Sequence, residues 1–280
     1  MGKRSPRPKG RPDALIAAGK SCREIGPITI GLKPDIMRIH AIVTTYKRPE
    51  LLRRAMFAIA PQLLPSDSLT IADDDPGFSG GLSAREACIP FRSRCIRRER
   101  NLGVVANIND AIANSGADPE DWIHWCADDD WPDPGFYDAI RRAPSPAAVV
   151  HVRQRNHMPD GNTWSPPPLT IEGEMSPRAT FGRFMLGNWT HMVCTAFRFR
   201  IWSDLGGFDG GLPLYHDWHF LIRSAFMYQH YYVPEVLANY SVHADSLTAK
   251  GDHNQEMVAM RELLANEFDD WLSMPRSIVG

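Results

Sequence analysis

Three consecutive carboxylates, Asp128, Asp129 and Asp130, follow the apolar run Trp122-Ile-His-Trp-Cys-Ala127 and precede Trp131-Pro132. Carboxylates at the end of a strand cost several kcal/mol to bury unless they are paired or coordinated. Hard oxygen ligands of this kind suit Mg²⁺ or Mn²⁺, which takes one or two protein carboxylates and completes its shell with water and substrate phosphates. The triplet therefore reads either as the holder of a metal-bridged diphosphate or as a solvated acidic turn ahead of Trp-Pro. Two other polar clusters stand in comparable places: Thr44-Thr-Tyr-Lys-Arg48 and Asp73-Asp-Asp75.

The elements that must position these clusters follow from periodicity. Arg38 to Thr44 is β-rich, and Pro49 opens a helix whose buried face is Leu51, Leu52, Ala55, Met56 and Ile59. Further strands are predicted at 68–72, 94–97 and 122–127, with a helix after Asn101-Leu-Gly103 that runs to Asn114. Alternating strands and helices predict a largely parallel sheet, whose ligands gather beyond the carboxyl ends of its strands. All three polar clusters fall at such ends. Beyond Pro134 the reading is a strand at 147–152, a long loop from Arg153 to Ser176, a strand at 192–198, a helix from about His216 and a C-terminal helix over 254–272.

Composition bounds the class. The 280 residues are 43% hydrophobic and 23% charged, ordinary values for a globular protein, and no apolar run reaches the roughly 20 residues of a membrane span. A soluble, cytoplasmic protein is expected, with Cys22, Cys88, Cys95, Cys126 and Cys194 reduced, because their odd number and spacing form no disulfide framework. The net charge of −2 conceals an asymmetry: residues 1–35 hold eight Lys/Arg against three Asp/Glu, leaving 23 against 30 for the rest. That stretch, rich in Pro and Gly, reads as a flexible basic arm with room for a short helix within 12–25. It is either a solubilising tail or a contact for nucleic acid, an anionic membrane face or an acidic protein. Residues 36–250 form the main domain and 251–280 a helical extension.

The order of motifs resembles the nucleotide-sugar glycosyltransferases of family 2. The residues that carry the resemblance are Val43-Thr-Thr-Tyr-Lys-Arg-Pro49, Ile71-Ala-Asp-Asp74, Asn101-Leu-Gly103 with Asn109, Asp128-Asp129-Asp130, Leu205-Gly-Gly-Phe-Asp209, His216-Asp217 and Tyr240-Ser-Val-His243. The resemblance implies a GT-A fold, a Rossmann-like, mostly parallel sheet flanked by helices, and a nucleoside diphosphate sugar donor, most simply UDP-linked. It places Thr44, Tyr46, Arg48, Asp73, Asn101, Asp128 and Asp129 around the donor, and Asp130 and His243 on a Mn²⁺ or Mg²⁺ ion. Asp217 becomes the base of an inverting transfer to a hydroxyl acceptor, which is a glycan, a protein or a modified nucleic acid. Trp189, His191, Asp209 and His216 are candidate acceptor contacts. Asn109, mid-helix, reads as a packing residue.

Departures from the family pattern are His216 where glutamate is usual, Lys47 where asparagine is frequent, and Ile108 before Asn109. The Gln-x-x-Arg-Trp motif of processive synthases is absent, which favours a single transfer. Two other classes compete. A nucleotidyltransferase would carry a Gly-rich phosphate loop after its first strand, and 44–48 contains no glycine. Asp130 and Asp217 argue against a non-catalytic sugar- or nucleic-acid-binding protein on the same scaffold, whereas the basic arm and His216 leave that reading open.

Overall fold

The computed structural model describes residues 37–77, 93–170 and 172–273, with side chains through residue 269. The basic arm, the helix expected within it, Cys22 and Cys88 lie outside these residues. In chain order the elements are β1 (Ile39–Thr45), α1 (Pro49–Ile59), β2 (Ser68–Asp73), β3 (Ser93–Arg97), α2 (Val104–Ala113), β4 (Trp122–Ala127), β5 (Trp131–Pro132), α3 (Phe136–Arg142), β6 (Val149–His157), β7 (Thr163–Trp164) and β8 (Gly173–Met175). Then come α4 (Pro177–Leu186), β9 (Thr195–Arg198), α5 (Phe199–Asp204), α6 (His216–Met227), β10 (His230–Ser241), α7 (Leu247–Lys250) and α8 (His253–Ser273).

Among the described residues the strands join one sheet in the order β3-β2-β1-β4-β9-β6-β10-β5, with β7 on β6 and β8 on β10. Strands β1 to β4 pair in parallel, β9 runs antiparallel between β4 and β6, and β6 and β10 are again parallel. The register sets Thr45 beside Asp73 and Thr44 beside Ala127, so the polar clusters after β1, β2 and β4 emerge at one edge, as the periodicity predicted.

Both faces of the sheet are covered, which explains why β1 is buried throughout and its centre, Ala41 to Val43, is apolar. On one face α1 buries Leu52, Ala55, Met56 and Ile59 beside Phe136, Tyr137 and Ile140 of α3. On the other, α2 and α6 pack with Met260 and Leu264 of α8. Cys126 and Cys194 are buried free thiols.

The C-terminal half departs from the sequence reading. The segment 153–176 is not one loop: β6 continues to His157, and β7 and β8 add short antiparallel strands. The predicted strand at 192–198 begins as a single tight turn over Met192–Cys194. Helix α4 and the twelve-residue strand β10 carried no clear signal. In β10 the cause is visible: Pro234 lies inside it, and the pairing with β6 shifts register twice between Val233 and Ala238. A proline and a bulge both break the alternation by which strands are recognised.

The Leu205-Gly-Gly-Phe-Asp209 motif has a packing reason. Gly206 and Gly207 adopt φ of +72° and +84°, and a Cβ on Gly207 would stand 2.9 Å from Asn109 Oδ1 and 3.3 Å from the Trp202 ring. Asn109 in α2 uses that oxygen to accept from Trp202 Nε1 at 3.1 Å and Phe208 N at 3.0 Å, and donates to Phe208 O at 2.8 Å. It is a strut between α2 and this turn, in keeping with its mid-helix place. Gly207→Ala forces both an unfavourable backbone and a clash with this strut, so its urea midpoint should fall by the equivalent of about 2 kcal/mol. A midpoint equal to wild type would refute the account.

Deep in the sheet, His151 and His230 form a neutral chain: His151 Nδ1 meets Thr195 Oγ1 at 3.0 Å, its Nε2 meets His230 Nδ1 at 2.9 Å, and His230 Nε2 meets Ser224 Oγ at 3.2 Å. Burial lowers both rings, His230 to about 3. A folded-state value below that of the unfolded chain means that the unfolded chain binds more protons from pH 6.5 downward. The contribution of His230 is therefore complete above pH 6.5 and declines by about 1.4 kcal/mol per pH unit below it. Denaturation at pH 7 and pH 5 should show a wild-type loss exceeding that of His230→Asn by about 2 kcal/mol, and equal losses would contradict the assignment.

Candidate functional site

Strand β4 ends at Ala127, and the chain turns back so that Asp128 N donates to Thr44 O at 3.1 Å. This bond fixes the acidic triplet against the end of β1. Asp128 accepts from Thr45 Oγ1 at 2.7 Å and Arg48 Nη1 at 3.2 Å. Asp129 Oδ2 accepts from the same Arg48 nitrogen at 2.8 Å and meets His243 Nε2 at 2.8 Å. Asp130 Oδ1 accepts from Ser241 N at 2.8 Å, which ties the triplet to the end of β10. Arg54 of α1, stacked 3.8 Å over Trp131, donates to the Asp129 carbonyl from below.

Asp128 and Asp130 are buried, Asp129 only partly. Burial pushes the Asp128 carboxyl up to about 6 against the opposing bond from Thr45. Asp130 is raised well above the usual carboxylate range, by burial first and then by the charge on Asp129. Carboxyls in this condition gain from a cation. Among the described residues no three His, Cys, Asp or Glu side chains converge as a ready-made cage. That donor set suits an ion held by one or two protein groups and otherwise by phosphate and water, the habit of Mg²⁺ and Mn²⁺. Asp130 and His243, the residues expected to hold such an ion, both lie beside Asp129, whose carboxylate meets His243 Nε2.

Beside the triplet lies a cavity of about 150 Å³ lined by Asp129, Asp130, His191, Asp217, Tyr240 and Thr248 among others. Asp217 stands in the first turn of α6, half-buried, and its Oδ1 accepts from Trp218 N at 2.6 Å. His191 lies flat on Tyr240, ring centres 3.8 Å apart and 3° from parallel, and burial keeps it below the ordinary histidine range. His216 also borders the cavity but turns into the core between Trp125 and Phe208; its Nδ1 donates to Pro213 O at 3.1 Å and its Nε2 has no partner among the described residues.

The remaining sequence-predicted residues stand outside that lining. Thr44 accepts from Trp125 Nε1 at 3.0 Å, and Tyr46 is exposed beneath Lys47. Lys47 has φ of +58°, a conformation that asparagine adopts at least cost among residues with a side chain, which gives a physical reason for asparagine being frequent there. Asp73 is fully buried at the end of β2; its Oδ1 accepts from Asp75 N at 3.0 Å, its Oδ2 has no partner among the described residues, and burial raises it. Asn101 Oδ1 accepts from Gly103 N at 2.8 Å, while Asp74 clamps Leu102 N and Gly103 N at 2.8 and 2.9 Å and so aims the start of α2, where Val104 borders the cavity. Trp189 stacks on Phe184, away from the cavity, and Asp209 closes its own turn by accepting from Gly211 N at 2.7 Å.

Sequence reasoning missed Thr45, Arg54, Asp74, Tyr240 as a ring platform, and Ser241. Thr45 was legible as the last residue of its strand; Arg54 and Ser241 were not, because each reaches the triplet from far along the chain.

No curated protein sequence matches the chain significantly. Among solved structures, S. aureus TarS 1-349 in complex with UDP-GlcNAc is similar at 14% identity and TM-score 0.62, over 77% of this chain and 62% of that one. The mannosyltransferase PcManGT from Pyrobaculum calidifontis, in complex with GDP-Man and Mn²⁺, is similar at 17% identity and TM-score 0.54, over 75% and 58%. GalNAc-T7 with UDP, GalNAc and Mn²⁺ matches at 10% identity and TM-score 0.53, over 82% and 48%. The chain spans about 60% of the length of TarS 1-349. These likenesses are of fold, and the fold is GT-A. No helix among the described residues is long and apolar enough to cross a membrane. A sequence model described as glycosyl transferase family 2 matches residues 40–232, well over half of the 280, and the chain belongs to that family.

Proposed function

We propose that this glycosyltransferase is an inverting, metal-dependent enzyme that makes a single hexosyl transfer from a UDP-linked sugar to a hydroxyl acceptor in the cytoplasm. The observation that carries the proposal is one cavity lined both by the acidic residues Asp129 and Asp130 and by Asp217. Such a cavity admits a diphosphate beside Asp129 and Asp130 and an acceptor hydroxyl beside Asp217.

Arg48 bridges Asp128 and Asp129, and Tyr46 and Asp73 take the nucleoside end. The unpartnered Oδ2 of Asp73 supports a hydrogen bond from the base or ribose. Asp217 takes the proton of the acceptor hydroxyl as its oxygen forms a bond to the anomeric carbon. The bond from that carbon to the diphosphate breaks on the opposite face, and its electron pair leaves with the nucleoside diphosphate. A bound Mn²⁺ or Mg²⁺ supplies charge neutralisation to that leaving group. Arg48 contributes fixed positive charge at the same place, and Tyr240 and His191 wall the cavity with a flat face of the kind sugar rings pack on.

The first test is thermal unfolding with UDP, GDP, CDP and ADP, each with and without Mn²⁺. A ligand at about 100 times its dissociation constant stabilises by roughly 2.7 kcal/mol. UDP should act, and only with metal. Stabilisation by another nucleotide alone would overturn the UDP assignment, and metal-independent stabilisation would overturn the role of the ion.

A further inference from the structure

The C-terminal helix α8 reaches back to the segment that leads into α6, whose first turn carries Asp217. Glu256, in its first turn and 9% exposed, lays one carboxylate oxygen on two successive backbone amides: Leu214 N at 2.5 Å and Tyr215 N at 2.6 Å. Those amides directly precede α6. Tyr215 N has no helical acceptor at this point in the chain, because the first amides of a helix and its lead-in lack intrahelical partners. A carboxylate that accepts two N–H groups is a strong, charge-assisted clamp.

Two further contacts converge on the same dipeptide. Tyr215 Oη meets His253 Nδ1 at 2.8 Å, and His253 Nε2 in turn meets Thr248 O at 2.7 Å. Gly251 lies so close to Leu214 that an added Cβ would come within 2.3 Å of its side chain. Leu214 and Thr248 both border the cavity that holds Asp217. Among the described residues Asp217 accepts a hydrogen bond only from the adjacent Trp218 N. Its position is therefore set by the backbone beneath it, and that backbone is held by a residue 41 and 42 positions downstream of the two amides.

Resting on the base assignment given above, we infer that Glu256 is a positioning residue for Asp217: it fixes the Leu214–Tyr215 amides so that the carboxylate of Asp217 meets the acceptor oxygen. Misplacing a reacting group by about 1 Å costs on the order of 100-fold in rate, which is the scale expected for releasing this clamp. Donor binding lies on the Arg48 and Asp129 side and should not change.

The test measures release of UDP from UDP-glucose and UDP-GlcNAc with Mn²⁺, water serving as acceptor, in wild type, Asp217→Asn, Glu256→Ala and Glu256→Gln. Thermal unfolding with UDP and Mn²⁺ accompanies each variant as the measure of folding and donor binding. Glu256→Ala should lower kcat by about 10- to 100-fold with the KM for the donor and the UDP-induced thermal shift unchanged. Glu256→Gln keeps an oxygen that can accept from both amides and should restore most of the rate. Loss in Asp217→Asn with wild-type kcat in Glu256→Ala overturns the positioning role alone. Loss in Glu256→Gln as deep as in Glu256→Ala also overturns it, because charge rather than amide geometry would then be at work. Wild-type kcat in Asp217→Asn overturns the base assignment and this inference with it.

Discussion

Asp217→Asn should lower transfer by 10²- to 10⁴-fold, the range that a positioned general base contributes, and leave the stabilisation by UDP and Mn²⁺ intact. The substitution is close to isosteric. Asparagine Oδ1 can still accept from Trp218 N, so the start of α6 should hold its shape. What it cannot do is take the acceptor's proton. The acceptor oxygen then has to attack as a neutral hydroxyl, and the barrier rises accordingly. A variant within threefold of wild type would remove Asp217 from the chemistry and return attention to the other groups on the cavity wall. Of these, His191 is kept neutral by burial and pinned flat against Tyr240, so it has little freedom to follow a substrate.

Asp130→Asn should produce two effects of opposite sign. Without ligand the variant should be at least as stable as wild type, because burial and the charge on Asp129 both disfavour the charged form of the wild-type carboxyl, and asparagine carries no charge. The amide keeps an oxygen for Ser241 N, so the tie to β10 survives. With UDP and Mn²⁺ the order should reverse: wild type gains roughly 2.7 kcal/mol at 100 times the dissociation constant and the variant gains little. Paired melts of both proteins with and without the ligands read both effects. A variant less stable alone yet equally stabilised by UDP and Mn²⁺ would show Asp130 to be a structural residue only, and would leave Asp129 with His243, which meet at 2.8 Å, as the metal-holding pair.

Much of the molecule was legible before any coordinates. Helix α1 was read to its first residue, since Pro49 fixes a helix start and Leu52, Ala55, Met56 and Ile59 repeat at helical spacing. The apolar runs of β1 and β4 and the carboxylates that follow β4 placed a polar edge on a parallel sheet, and the order of motifs gave the family. These are local signals: a buried strand needs an apolar run, and a tip that holds a cation needs oxygen. The His216-Asp217 pair was equally visible at the head of an amphipathic helix.

What the sequence could not contain was the pairing across long chain separations. Ser241 reaches Asp130 across 111 residues and Arg54 reaches the Asp129 carbonyl across 75, and neither spacing has any periodicity to betray it. Strand β10, which delivers Tyr240, Ser241 and the approach to His243, was hidden by Pro234 and a bulge, devices that a bent strand needs and that erase its alternation. Trp189 and Asp209 look like ligand residues by type; only the fold shows that one stacks on Phe184 and the other closes its own turn. Residue types and local order determined the fold and the chemistry available; the tertiary structure alone decided which carboxylates share a cavity, because convergence in space depends on sheet order and register rather than on distance along the chain.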